Sequence, residues 1–110
     1  MRAKYLDLNE VKQFLRLEPD YIEEDIEITM LMLAAESYIE AAVDNIDYKI
    51  NSSHVLASYK LLAYTLIVDW YENREFSSTQ NDKVKFTIQT LLLQLKTAPI
   101  VREREENTYE

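Results

Sequence analysis

Few side chains here are placed to do chemistry, and each candidate has a simpler structural account. His54 is the single histidine and follows Ser52 and Ser53, a grouping that suggests a hydrolase. A catalytic triad needs its base held by a third group opposite an oxyanion hole, and adjacency in sequence supplies neither. The serines are instead good helix N-caps, with the histidine in the first turn. Glu23, Glu24 and Asp25 offer three carboxylates to a divalent ion. Consecutive residues splay around a helix, however, and the ligand spacing and sharp-turn glycine of a calcium loop are missing. Negative charge favouring a helix N-terminus is the plainer role. Glu36 and Glu40 share a face at i, i+4, as in a di-iron bundle, but that site also needs Glu-x-x-His partners.

Composition closes further routes. Cysteine is absent, which removes disulfides, thiolate zinc sites and cysteine nucleophiles, and fits a reducing compartment. Glycine is absent too, and phosphate-cradling loops of the P-loop and dinucleotide kinds depend on it. The expectation is therefore no catalytic residue, no cofactor and no metal. The net charge of −8 opposes generic binding to a phosphate backbone, which needs a basic stripe. Charge is also uneven. Residues 21–50 carry eight acids against Lys49 alone, whereas residues 77–100 carry Lys83, Lys85 and Lys96 against Asp82. Opposite patches on a small protein suit self-association or a partner.

The elements that position these residues are helical. Asp7-Leu-Asn-Glu10 reads as a capping box opening a helix over about 8–16, with Leu8, Val11 and Leu15 at helical spacing and Phe14 beside them. Pro19 closes it. A second box, Asp20-Tyr-Ile-Glu23, opens a helix over 21–44. One stripe there is Ile28, Leu31, Ala35, Ile39 and Ala42; a second is Met30, Leu33, Ala34 and Tyr38. A helix apolar on two faces is central to the fold or shared with a neighbouring subunit. Asn45 is the expected left-handed cap, followed by a polar connection over 45–52. A third helix over 53–74 carries Val55, Tyr59, Leu62, Leu66 and Trp70 on its stripe. A fourth over 82–97 carries Val84, Ile88, Leu91, Leu92 and Leu95, and ends before Pro99.

The fold class is thus all-α, a small bundle of about four helices. Residues 1–98 form one domain and the charged residues 99–110 a flexible tail. Leu31, Ala35, Ile39, Leu62, Leu66, Trp70, Leu91 and Leu95 are the expected core. No apolar run approaches the roughly 20 residues that span a bilayer, and no export signal is visible. A cytoplasmic site of synthesis is expected.

Trp70-Tyr-Glu-Asn-Arg-Glu75 is the most informative segment. Together with Leu8-Asn-Glu-Val-Lys12, Phe14-Leu-Arg16, the acidic opening from Asp20 to Asp25, Ala34-Ala-Glu-Ser-Tyr-Ile39 and Leu91-Leu-Leu-Gln-Leu-Lys96, it resembles the gp6-like head–tail connector (adaptor) proteins of tailed bacteriophages and prophages. The resemblance covers roughly residues 5–96. Two features depart from it: members usually carry glycine where this chain has Asp44-Asn45, and often proline where it has Ser52-Ser53-His54. Asn and Ser caps substitute for both.

The resemblance implies a structural virion protein at the head–tail interface. It implies a homo-oligomeric ring, about twelve-fold in the virion, beneath the phage portal protein. Such a ring extends the DNA channel without sequence-specific binding and docks the next stopper or tail-completion protein. Met30, Leu33, Tyr38, Glu72, Arg74, Glu75, Lys83 and Lys85 are the expected subunit or portal interface. The competing reading is a small acidic helical module that occupies a basic partner surface.

Overall fold

The computed structural model describes residues 3–73 and 82–101, and each helix has a local reason for its ends. Helix α1 (Leu8–Phe14) opens on Asp7, whose carboxylate accepts the Glu10 amide at 3.1 Å. The reciprocal half of the box is not made, because the Glu10 carboxylate accepts from Tyr64 Oη and Lys60 Nζ instead. The helix also stops short of residue 16. Arg16 turns left-handed with φ 62°; its amide donates to Gln13 O and that of Leu17 to Lys12 O. This Schellman close usually recruits glycine. An arginine takes the position here, at a conformational cost of about 1–2 kcal/mol.

Helix α2 (Asp25–Ala42) begins four residues later than the capping box at Asp20 predicts. Tertiary bonds override that box. Tyr71 Oη donates to the Glu24 carboxylate. Asp25 pairs at 2.7 Å with Lys12 Nζ, a buried ammonium that also donates to Pro19 O at 3.2 Å. Residues 18–25 are held as turns by Tyr21 N–H to Glu18 O and Asp25 N–H to Ile22 O. The helix ends at Ala42 rather than 44, because Val43 goes extended and is buried.

The connection over 45–52 is not simply polar. Asn45 is left-handed, φ 60° and ψ 32°, and a single turn α3 (Ile46–Lys49) follows it. Ile46 and Ile50 enter the core. Lys49 is buried and donates to Leu95 O at 3.0 Å and Lys96 O at 2.8 Å, closing the C-terminus of the last helix. Helix α4 (Ser53–Glu72) follows N-cap Ser52, which takes extended backbone but makes no side-chain capping bond. Helix α5 (Asp82–Thr97) has the bounds its periodicity predicts.

Helix α4 is the centre of the bundle: α2 and α5 both pack along it, and α1 touches α2 and α4. Its buried residues Tyr59, Leu62, Ala63, Leu66 and Ile67 meet Ile28, Ala35 and Ile39 of α2, and Ile88, Leu91 and Leu95 of α5, in one cluster. Leu31 and Trp70, expected within that core, are half-buried at its edge. The indole of Trp70 lies edge-on to Tyr38 at 6.3 Å between ring centroids, so it borders the solvent-facing side of α2.

A strap ahead of α1 locks the bundle. Glu36, buried in mid-α2, accepts three backbone amides: Lys4 at 2.9 Å, Tyr5 at 2.7 Å and Leu6 at 3.2 Å. Tyr5 then stacks edge-on against Tyr59 at 5.6 Å and donates its hydroxyl to Asp47. At the other end, the Val101 amide donates to Tyr48 O at 3.2 Å. The tail beyond 101, the loop over 76–81, and Arg74 and Glu75 lie outside the described residues.

Candidate assembly surface

The residues that first invite a catalytic reading are occupied otherwise. His54 is exposed on the first turn of α4. Within the acidic run, Glu24 and Asp25 are engaged by Tyr71 and Lys12, leaving Glu23 exposed. Glu36 is committed to three amides, and Glu40 pairs at the surface with Lys4 at 3.5 Å. Among the described residues, no group of three His, Asp or Glu side chains converges as a metal site would require. A cavity of about 450 Å³ lies between the strap and α2 and is lined by Lys4, Tyr5, Asp7, Thr29 and Met32 among others. No histidine or serine lines it.

The perturbed groups belong to the structural staples. Burial, then the bond to Asp47, pushes the Tyr5 phenol up to about 12. Burial also raises Tyr64, reinforced by its bond to Glu10, and the same bond holds the Glu10 carboxyl below its ordinary range. Tyr59 is raised by burial, with the nearby Glu36 charge adding to it. The three phenols hold their protons more tightly through burial and their acidic neighbours, whereas the Glu10 carboxylate is held ionised by its donors.

What the surface does offer is apolar. The face of α2 turned away from α4 carries Ile26 and Met30, 75% and 58% exposed, with Ala34 exposed beyond them. Ile22 extends this face into the preceding turn. Helical spacing explains it: Ile26, Met30 and Leu33 lie opposite Ile28, Ala35 and Ile39 at about 100° per residue. Leu33 is half-buried, and Tyr38 is exposed toward the Trp70 side. Helix α5 has a matching outer face, with Phe86 70% and Leu93 62% exposed, a spacing of i, i+7. Ile26, Phe86 and Leu93 are absent from the interface expected from sequence. Their signal was available in the i, i+4 run Ile22–Ile26–Met30 and in the two apolar residues off the α5 core stripe.

Charge separates the two faces. Residues 22–44 contain seven acids and no lysine or arginine, and Glu23, Glu40 and Asp44 are exposed there. Among the described side chains of α5, the exposed charged ones are Lys83, Lys85 and Lys96. Glu72 is exposed at the end of α4. Exposed apolar side chains of this size, gathered on particular helix faces, are the mark of contact with another macromolecule.

Among known proteins, the family model for the phage gp6-like head–tail connector protein matches residues 5–96. No curated protein and no solved structure matches the chain.

Proposed function

Since the chain belongs to the phage gp6-like head–tail connector protein family, we propose that it is a ring-forming adaptor between the portal and the tail-completion machinery. The family is a structural one, with a connector role between phage head and tail proteins at the head–tail interface of the virion. The finer reading is that copies close head to tail beneath the portal, continue its channel and present the opposite rim to a stopper or tail-completion protein. Interface side chains in this reading are Met30, Leu33 and Tyr38 on α2, Lys83 and Lys85 on α5, Glu72 at the end of α4, and Arg74 and Glu75, which follow it in sequence.

One observation carries the proposal: family membership over most of the chain coincides with apolar faces on two different helices that carry opposite charge. A head-to-tail contact needs two distinct complementary patches on one subunit, and repetition of that contact closes a ring when the rotation allows. The acidic balance fits the channel, since a lumen that repels phosphate lets DNA pass without gripping it. No helix among the described residues is long and apolar enough to cross a membrane.

Electron microscopy of the concentrated protein mixed with the portal protein from the same phage tests this. Rings, or portals capped by an added annulus, are expected. A soluble one-to-one complex with a basic partner, and no annulus, would establish the acidic-module reading instead.

A further inference from the structure

We infer that the subunit contact is heterologous between two specific helices: the outer face of α2 (Ile26, Met30, Ala34) in one copy seats the outer face of α5 (Phe86, Leu93) in the next. This rests on the ring reading and names the surfaces that build it.

Three observations converge. Both faces are apolar at their centres and exposed, and each lies on the side of its helix away from the α4-packed core. They are similar in length: from Ile26 to Ala34 is about 12 Å of helix and from Phe86 to Leu93 about 10 Å. Their charged margins are opposite. Glu23 and Asp44 lie exposed near the α2 face, with Glu40 partly offset by Lys4 at 3.5 Å, whereas Lys85 and Lys96 flank Phe86 and Leu93.

Charge also selects among the possible pairings. An α2-to-α2 contact sets acids against acids, and an α5-to-α5 contact sets lysines against lysines. Either symmetric dimer is opposed, because like charges facing across an interface are disfavoured. Only the mixed pairing relieves both margins. It leaves one α2 face and one α5 face open on every growing chain of subunits, which is the condition for propagation into a ring. Residues such as Ala34, Ser37 and Ala41, all exposed on α2, leave room for the larger Phe86 and Leu93 to approach the helix backbone.

The absence of native cysteine makes the test direct. Met30→Cys is combined in the full-length chain with Phe86→Cys, Thr90→Cys or Leu93→Cys in turn, covering both helix directions, and the concentrated protein is mildly oxidised. Disulfide-linked ladders from dimer upward are expected from at least one double variant, with their loss in every single variant. Raising salt to about 1 M, where charge is screened beyond a few ångströms, should lower the linked fraction. With one thiol per chain a single variant can link no further than a dimer, and a disulfide-linked dimer from Met30→Cys alone or Phe86→Cys alone shows like faces meeting and overturns the proposal. So does the lack of any ladder from the double variants. If the unmodified chain still gives rings by microscopy in that case, the connector reading stands and only this pairing is lost. If it caps no portal either, both fall.

Discussion

Glu36→Gln isolates the strap that the α2 carboxylate holds. In the folded protein Oε2 accepts from the Tyr5 and Leu6 amides and Oε1 from the Lys4 amide. A glutamine keeps the shape but supplies only one oxygen. In its better orientation the oxygen faces Tyr5 and Leu6 while its amide group confronts the Lys4 N–H. One bond to a charged acceptor is then lost, worth about 1.5–3 kcal/mol, and two others fall from charged to neutral strength, each by about 1 kcal/mol. Relief from burying a carboxylate offsets part of this sum. The net expectation is a destabilisation of about 2 kcal/mol, which for a domain of this length lowers Tm by roughly 8 °C. Two assays read it. Urea denaturation gives the free energy, and amide hydrogen exchange follows Tyr5 and Leu6, which should lose their protection well before the α4 amides do. Glu36→Ala, which removes every acceptor, should be worse than Glu36→Gln. A Glu36→Gln chain that melts within about 1 °C of the parent, with Tyr5 and Leu6 still protected, would refute the claim that this carboxylate fastens the strap.

Three further outcomes follow from the same packing. Lys49→Met keeps the aliphatic stem but abandons the Leu95 and Lys96 carbonyls; a loss of about 1–3 kcal/mol is expected, with faster hydrogen exchange in the last turn of α5. Arg16→Gly relieves the left-handed residue of the α1 terminus and should raise stability by about 0.5–1 kcal/mol after glycine's entropy is set against the relief, seen as a higher urea midpoint. Trp70→Ala should cost about 2 kcal/mol, below the roughly 3–5 of a fully buried aromatic, because the indole is half-buried against Tyr38; calorimetry reads the difference.

The pH dependence has a definite sign at both ends. Glu10 titrates below its ordinary 4.5 in the folded state because Tyr64 donates to it. Its contribution is complete above that value and is lost as pH falls through the lower folded value, so Tyr64→Phe should flatten the acid limb of a plot of urea midpoint against pH. Tyr5, Tyr59 and Tyr64 are raised from 10.0 by burial. The folded state then keeps protons that the unfolded chain releases, so stability is full below pH 10 and falls as pH rises beyond it. Tyrosinate absorbance and loss of helical circular dichroism should rise together on that limb.

Apolar periodicity and capping residues already make this chain a helical bundle and locate most of its helices. Hydrophobic spacing along one chain is a local property, so the stripes of α4 and α5 were legible, as was the second apolar face of α2. The lack of cysteine and glycine and the single histidine were equally plain, and they closed whole classes of chemistry without any coordinates. The order and spacing of segments such as Trp70-Tyr-Glu-Asn-Arg-Glu75 and Leu91-Leu-Leu-Gln-Leu-Lys96 also pointed to the family.

Tertiary structure decided what depends on residues distant in sequence. The start of α2 moved from the capping box at Asp20 to Asp25 because Lys12 and Tyr71 take its first carboxylates. In sequence Glu36 is only one of an i, i+4 acidic pair with Glu40, until the strap, 30 to 32 residues earlier, brings it three amides. Lys49 is in sequence the single base among the eight acids of residues 21–50, until α5 folds back to place two terminal carbonyls on its ammonium. Trp70 moved from core to margin because α4 buries its centre between two neighbours, leaving its C-terminal turn at the edge of the cluster. Periodicity records which side of a helix is apolar; only assembled packing says which apolar sides are already covered. That is why Ile26, Phe86 and Leu93 stood out once the bundle was closed around α4.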